Sequence, residues 1–269
     1  MTHLTTQLDE TVSFGAQSAN SITAIGERDG SVLVIPVGSI EQHGEHLPVM
    51  TDTLLANSVA TVGAKRIADE IPVLVTPPVR PGYSPHHLSF GGTLTSEFET
   101  LLDFIRDTAD SALSNGFDAL VLINGHGGNT PLIDAAVSEI GHEHTEAEIL
   151  GATYFELVAD LVEEVRDSEK GGMAHGGEFE TSLMLYLYPE LVDTDAMPAT
   201  YWEEQYDLGG DDLISGGPLS VYRPFDEYSD SGAIGDPNVA DEKTGKQLFE
   251  GSAEAIAALL KEVHEQNAD

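Results

Sequence analysis

Glu41, His43, Glu45, His46 and Asp52 crowd into the segment from Gly38 to Asp52, directly after the apolar run Val32 to Val37. Carboxylates and imidazoles at this density suit a hard-to-borderline divalent metal ion. A loop at the end of a buried strand is where α/β sheets place ligands. Glu41 and His43 are two apart, so in an extended segment their side chains leave on the same face. A pair of ions about 3.5 to 4 Å apart needs a bridging carboxylate together with His and carboxylate ligands on each ion. Asp52 is placed to be that bridge. It is equally placed to cap the helix that follows, a role that leaves its second oxygen free for metal.

His126 lies in the turn Asn124 to Asn129 (NGHGGN), whose glycines, Gly127 among them, let backbone approach a metal or substrate. The plain reading of that turn is a strand-to-helix connection. Of the ten histidines, His43, His46, His86, His87, His126 and His175 fall in four glycine-rich loops. One such histidine alone reads as an exposed or hydrogen-bonded side chain. Four such loops, three with a carboxylate nearby, point to convergence on a metal centre, with Glu45 and His46 in supporting roles.

The elements that must position these residues alternate in the βα manner. Strands are predicted at Val32 to Val37, Pro72 to Thr76, Ala119 to Ile123 and Glu148 to Thr153. Helices are predicted after Asp52 through Ile67, after a Ser96/Glu99 capping box to about Asn115, from Pro131 to about Ile140, from Phe155 to Arg166, from Glu178 to Tyr188, and from Asp241 to His264. The pattern predicts a three-layer α/β sandwich with a mainly parallel sheet and helices on both faces. Residues 1–269 read as one domain, with an irregular excursion rich in Gly, Pro, Asp and Tyr at about 195–240. A stretch of that kind in a compact domain covers a site or an interface.

Composition narrows the partners. Forty-seven acidic against 11 basic residues give a formal net charge of −36, which excludes general attraction to nucleic acid or to an anionic membrane. A hydrophobic content of 41% with clear periodicity argues against disorder. The acid therefore sits on a folded surface, whose self-repulsion is relieved when salt of roughly 1 M shortens the screening length to about 3 Å. A salt-loving cytoplasm is the natural setting. With no cysteine, the chain forms no disulfide and any metal is held by His and carboxylate. The polar start, Met1 to Asn20, and the lack of any 18-residue apolar run lead us to expect a soluble, intracellular protein.

The segment Pro36 to Asp52 (PVGSIEQHGEHLPVMTD), the turn NGHGGN and the stretch His175 to Leu185 (HGGEFETSLML) together resemble the creatininase family of creatinine amidohydrolases, in family order and over about residues 25–195. The resemblance implies an α/β sandwich assembled as a homohexamer, a trimer of dimers, with a two-metal site of Zn, Mn or Fe that hydrolyses C–N amide bonds. It implies that Glu41, His43, Asp52 and His126 are metal ligands, with Asp52 bridging, and that His175 carries a proton to the leaving nitrogen.

Two departures shape the expectation. The family's glutamate in the glycine turn falls at Gly128, so a fifth ligand must come from elsewhere. Glu178, three residues after His175 on a helix's first turn, is expected to supply it. Glu180, which matches a family glutamate, is the rival, expected instead to orient His175. The tryptophans that surround creatinine fall at Phe155 and Gly171, and the sole tryptophan is Trp202. The expected substrate is therefore a small cyclic amide or formamide rather than creatinine, attacked by metal-activated water. Alternatives are a formylaminopyrimidine ribonucleotide deformylase of riboflavin or deazaflavin synthesis, a metallopeptidase of modified peptides, and a non-catalytic metal-binding protein. Ser84 and His87 are expected to line the pocket, and Arg80 to bind a substrate phosphate through its planar guanidinium.

Overall fold

The computed structural model describes residues 8–202, 206–210 and 218–268. Four strands, β1 (Val32–Val37), β2 (Val73–Val75), β3 (Ala119–Asn124) and β4 (Glu148–Thr153), form one wholly parallel sheet in the order β2-β1-β3-β4. Both faces of β1 and β3 are buried, as the unbroken apolar runs VLVIPV and ALVLI require of central parallel strands. Alternate residues feed two separate cores. Val32, Val34, Val121 and Ile123 pack with α2 (Thr51–Ile67), α6 (Glu178–Leu187) and α7 (Glu242–Asn267). Leu33, Ile35, Leu120 and Leu122 pack with α3 (Phe98–Leu113) and α4 (Thr130–Glu143) on the other side. Helix α1 (Ala19–Gly26) adds Ile22 to this second layer, and α5 (Ala159–Val165) adds Val162 to the first. The three-layer α/β sandwich expected from the sequence is the fold observed.

Pro36 sits in a central strand without cost. Its carbonyl accepts from Val79 N at 2.8 Å on the β2 side, and β2 has already ended at Val75, so no ladder donor is missed there.

Several local expectations need correction. Asp52 does not cap α2: the helix begins at Thr51 after Met50, which puts Asp52 inside the first turn with its side chain turned to the sheet end. Ser96 and Glu99 do not form a capping box, because α3 starts at Phe98 after Glu97 and the Ser96 amide bonds to Gly82 O at 3.1 Å. The stretch Phe155 to Arg166 divides into a 3-10 turn at Glu156–Val158 and the short α5. The last helix, expected from Asp241 to His264, runs from Glu242 to Asn267 and is capped by Asp241, which accepts from Thr244 N at 2.7 Å. Within the excursion, part of which lies outside the described residues, Thr200 and Ile234 to Gly235 form bridges and Phe225–Glu227 a 3-10 turn. Among the described residues, no helix is long and apolar enough to cross a membrane.

Candidate active site

The loops that leave β1 and β3 at their carboxyl ends meet the first turns of α2 and α6. Gly38 follows β1 because its backbone runs against Thr53, where a Cβ would lie 2.5 Å from that residue's Cα. Thr53 Oγ1 then donates to Ser39 O at 2.7 Å, and Asn129 Nδ2 donates to Gly38 O at 3.1 Å, so the loop is held from two sides. Asn124 secures the His126 turn: its Oδ1 accepts from His126 N at 3.1 Å and its Nδ2 donates to His126 O at 2.8 Å.

These anchors bring six side chains together, none more than 7% exposed: Glu41, His43, Asp52, His126, His175 and Glu180. Besides a third group that joins Glu41 and His175 to His87, their donor atoms fall into two groups that could each hold a metal ion, Glu41 with Asp52 and His126, and His43 with His175 and Glu180. Asp52 stands between them. Its Oδ1 lies 2.9 Å from His43 Nε2, and its Oδ2 lies 3.3 Å from His126 Nδ1.

The chemistry of this donor set fits a cation. Asp52 Oδ2 and Glu41 Oε1 are buried without a hydrogen-bond partner, although His126 Nδ1 is 3.1 Å from Glu41 Oε1. The separations are hydrogen-bond lengths but the angles are not, so the ring nitrogen is aimed at neither oxygen. Moreover, each histidine places its other nitrogen on a main-chain carbonyl: His43 Nδ1 on Glu41 O at 3.1 Å, His126 Nε2 on Tyr83 O at 3.2 Å and His175 Nε2 on Gln42 O at 2.7 Å. Assigned from these partners, the neutral tautomers carry the proton on the outer nitrogen and turn a lone pair inward, as metal-binding histidines do.

Electrostatics agrees. Burial pushes the Glu41 carboxyl up, but the charges of His126 and His87 outweigh it and hold the group well below the usual carboxylate range. Burial pushes His126 down, yet Glu41 and Asp52 raise it to about 10. Burial likewise opposes the charge on His43, and Asp52 and Glu180 overcome it. The carboxylates thus demand positive charge in the pocket, which protons meet on the imidazoles and a divalent ion would meet by displacing them. His175 differs: burial and the charges of His43 and His87 keep it well below the ordinary imidazole range, so it is neutral.

The expectation for Glu178 fails. Its two oxygens accept from Asp167 N and Ser168 N, both at 2.8 Å, so the carboxylate fastens the loop before α6 and points away from the cluster. Glu180 faces in instead, with Oε1 3.5 Å from His43 Nε2 and Oε2 accepting from Gly176 N at 2.5 Å. A Cβ at Gly128 would meet the rings of His126 and His86, so a side chain there would require one of them to shift. His46 is a structural neighbour: Nε2 bonds Thr181 Oγ1 at 2.9 Å, and burial with the nearby His43 charge lowers it to about 4.

Ser84 is wholly buried, with Oγ 2.7 Å from Ser39 Oγ and 3.1 Å from His126 Nε2, so it braces His126 rather than lining an open pocket. His87 faces the cluster, Nε2 3.2 Å from Glu41 Oε1. Gly127 is exposed beside open space. Arg80 is not near the cluster. It is exposed and lines two surface grooves beside Pro77 and Pro78, neither walled by a cluster residue.

Three participants were missed by the sequence reading. Ser39 joins Glu41 Oε2, at 2.9 Å, to Ser84. Gln42 Nε2 donates to His87 Nδ1 at 2.8 Å and to Gly232 O at 2.9 Å, which occupies both its hydrogens and leaves its 3.3 Å approach to His175 a contact only. Both stand inside the motif already singled out. Phe225, whose ring centroid is 4.0 Å from that of His87, lies in the irregular excursion, where nothing marks it.

Comparison with known proteins decides the family: the model of the creatininase (creatinine amidohydrolase) family matches residues 17–260. The chain belongs to the creatininase family. Within it, the chain is 33% identical over 222 residues to the mycofactocin precursor peptide peptidase of Mycobacterium ulcerans (strain Agy99), covering 81% of this chain and 79% of that one. It is 31% identical over 249 residues to the creatinine amidohydrolase of Pseudomonas putida, covering 86% and 89%. A shorter likeness, 27% over 124 residues and 44% of this chain, is to a formylamino-ribosylaminopyrimidinone monophosphate deformylase of Methanococcus maripaludis (strain C7 / ATCC BAA-1331), of which it covers 51%. A crystal structure of creatinine amidohydrolase superposes with a TM-score of 0.82 at 26% identity, over 94% of this creatininase-family chain and 98% of the other. Solved creatininases include a manganese form and a Zn-Zn form.

Proposed function

We propose that this creatininase-family hydrolase holds two divalent ions, of Zn, Mn or Fe, and cleaves the C–N amide bond of a small cyclic amide or formamide. One observation carries the reading: the two oxygens of Asp52 face two different donor sets. Glu41 and His126 would hold one ion, His43 and Glu180 the other, and Asp52 would bridge them. Ions bound there supply a nucleophilic water at neutral pH and a pull on the carbonyl oxygen. The chain's own residues do the rest. His175, neutral and with its Nε2 proton fixed on Gln42 O, offers Nδ1 to take a proton inside the pocket and return it to the departing nitrogen. Glu41 and His126 are kept in place by the Ser39 and Ser84 hydroxyls. The buried surroundings exclude bulk water.

Metal analysis of protein purified in high salt, followed by a screen of formylaminopyrimidines, cyclic ureides, creatinine and short peptides, tests the reading. Two ions per chain and turnover of a small amide are expected; full loading with no amide turnover would sink it. A peptidase acting on a modified peptide is the second reading, favoured by the 33% identity to the mycofactocin precursor peptide peptidase. Preferential cleavage of peptides in the same screen would select it. We further infer a protein suited to a salt-rich cytoplasm and assembled as a homohexamer. At a net charge of −36, lowering salt from about 1 M to about 0.1 M lengthens screening from ~3 to ~10 Å and is expected to lower the melting temperature.

A further inference from the structure

The donor cluster is buried, and one of the elements that cover it comes from the excursion. Phe225 lays its ring on the histidines, with centroids 4.0 Å from His87, 4.8 Å from His175 and 5.7 Å from His86. The ring is braced from behind by Tyr228 at 5.7 Å, and Tyr228 by the edge of Trp202 at 4.8 Å. Such offset and edge-to-face stacks fix ring positions as well as burying area. The same segment is tied to the site's own loops. His175 and Ile234 exchange both backbone hydrogen bonds, at 2.7 and 2.8 Å, and Gly232 O accepts from Gln42 Nε2.

Phe225 itself has no polar group and can neither bind metal nor move a proton. Its place over two histidines that face the cluster puts the ring in the way of anything that approaches the cluster from that side. We propose that Phe225 is a specificity-determining residue: it roofs the metal compartment and sorts substrates by the size of the group that flanks the scissile amide, admitting a small one. This rests on the amidohydrolase reading above for its substrate class, but closure of the compartment is measurable without any substrate.

The test uses the metal-loaded full chain as wild type, Phe225→Ala, Phe225→Leu and Phe225→Trp. Loss of zinc to excess dipicolinate is followed in time, and hydrolysis of the formyl and benzoyl amides of one amine is compared. Removing the ring is expected to speed zinc loss about tenfold, the scale of one aromatic stack, with equilibrium metal content unchanged. Phe225→Leu, which keeps bulk but loses the stack, should speed zinc loss by a smaller factor, and the benzoyl-to-formyl ratio should rise in Phe225→Ala, rise less in Phe225→Leu and fall in Phe225→Trp. If Phe225→Ala does not fold, the Leu and Trp variants carry the same contrast. Equal zinc-loss rates and an unchanged substrate ratio across the variants would overturn the proposal and leave Phe225 as packing. Faster zinc loss with no amide turned over by any form would keep the roof and strike the amidohydrolase reading instead.

Discussion

The two donor sets differ in what holds them. Glu41, Asp52 and His126 stand on the ends of β1 and β3 and the first turn of α2, elements hydrogen-bonded into the sheet and its flanking core. In the other set His43 shares the loop after β1, but His175 and Glu180 depend on the loop before α6, which is fastened by the Glu178 carboxylate and by the excursion at Ile234. The first set is built on the least movable part of the fold; the second is assembled from parts that close on it. We therefore expect the first to keep an ion when the second cannot, and the substrate to be selected on the second side.

The sharpest way to break this comparison is to remove what the sets share. Asp52→Asn is expected to empty both positions and reduce hydrolysis by about a thousandfold or more, the scale for losing a preorganised charge at a reaction centre. Metal analysis showing two ions retained would end the bridging role. Next is Glu180→Gln, which should leave close to one ion per chain. Its counterpart Glu178→Gln should keep both ions and cost about 1–3 kcal/mol of stability, since it weakens a buried bond to two amides. Calorimetry with metal counting separates the two, and the opposite assignment of losses would restore Glu178 as a ligand.

A smaller effect probes the packing beneath the second set. His46, at about 4 against 6.5, is depressed in the folded state, so it contributes stability that is complete above 6.5 and is lost as pH falls towards 4. The full loss is up to about 3 kcal/mol. Urea midpoints at pH 7 and pH 4.5 should fall less for His46→Gln than for wild type, and parallel lines would refute the burial argument. Smallest of all is Arg80→Ala. With its side chain in a groove outside both sets, neither metal content nor affinity for a phosphate-bearing substrate should change.

The first set was legible in the sequence because its residues are locked to strand ends, and strand ends follow from apolar runs such as Val32 to Val37. The second set was only half legible. Glu178 and Glu180 are two apart, about 200° around a helix, so only one can face the site. The choice depends on where α6 begins and on the bonds offered by Asp167 N and Ser168 N, which are distant partners no local pattern announces. Asp52 was misplaced as a cap for a similar reason, a helix start two residues earlier than its polar sequence suggests. Phe225 had no signal, because irregular backbone has no period from which a buried face can be read.

The three main-chain carbonyls beneath His43, His126 and His175 have a consequence for how such a site changes over generations. A carbonyl cannot be mutated. The orientation of the imidazoles is therefore inherited with the path of the backbone and is insulated from substitution in the side chains around it, which leaves a lineage free to recolour its surface with acid or to exchange its substrate loops. What the arrangement does not tolerate is a change in the count of residues between Gly38 and Asp52, where one insertion would turn a histidine off its anchor and do more harm than many replacements.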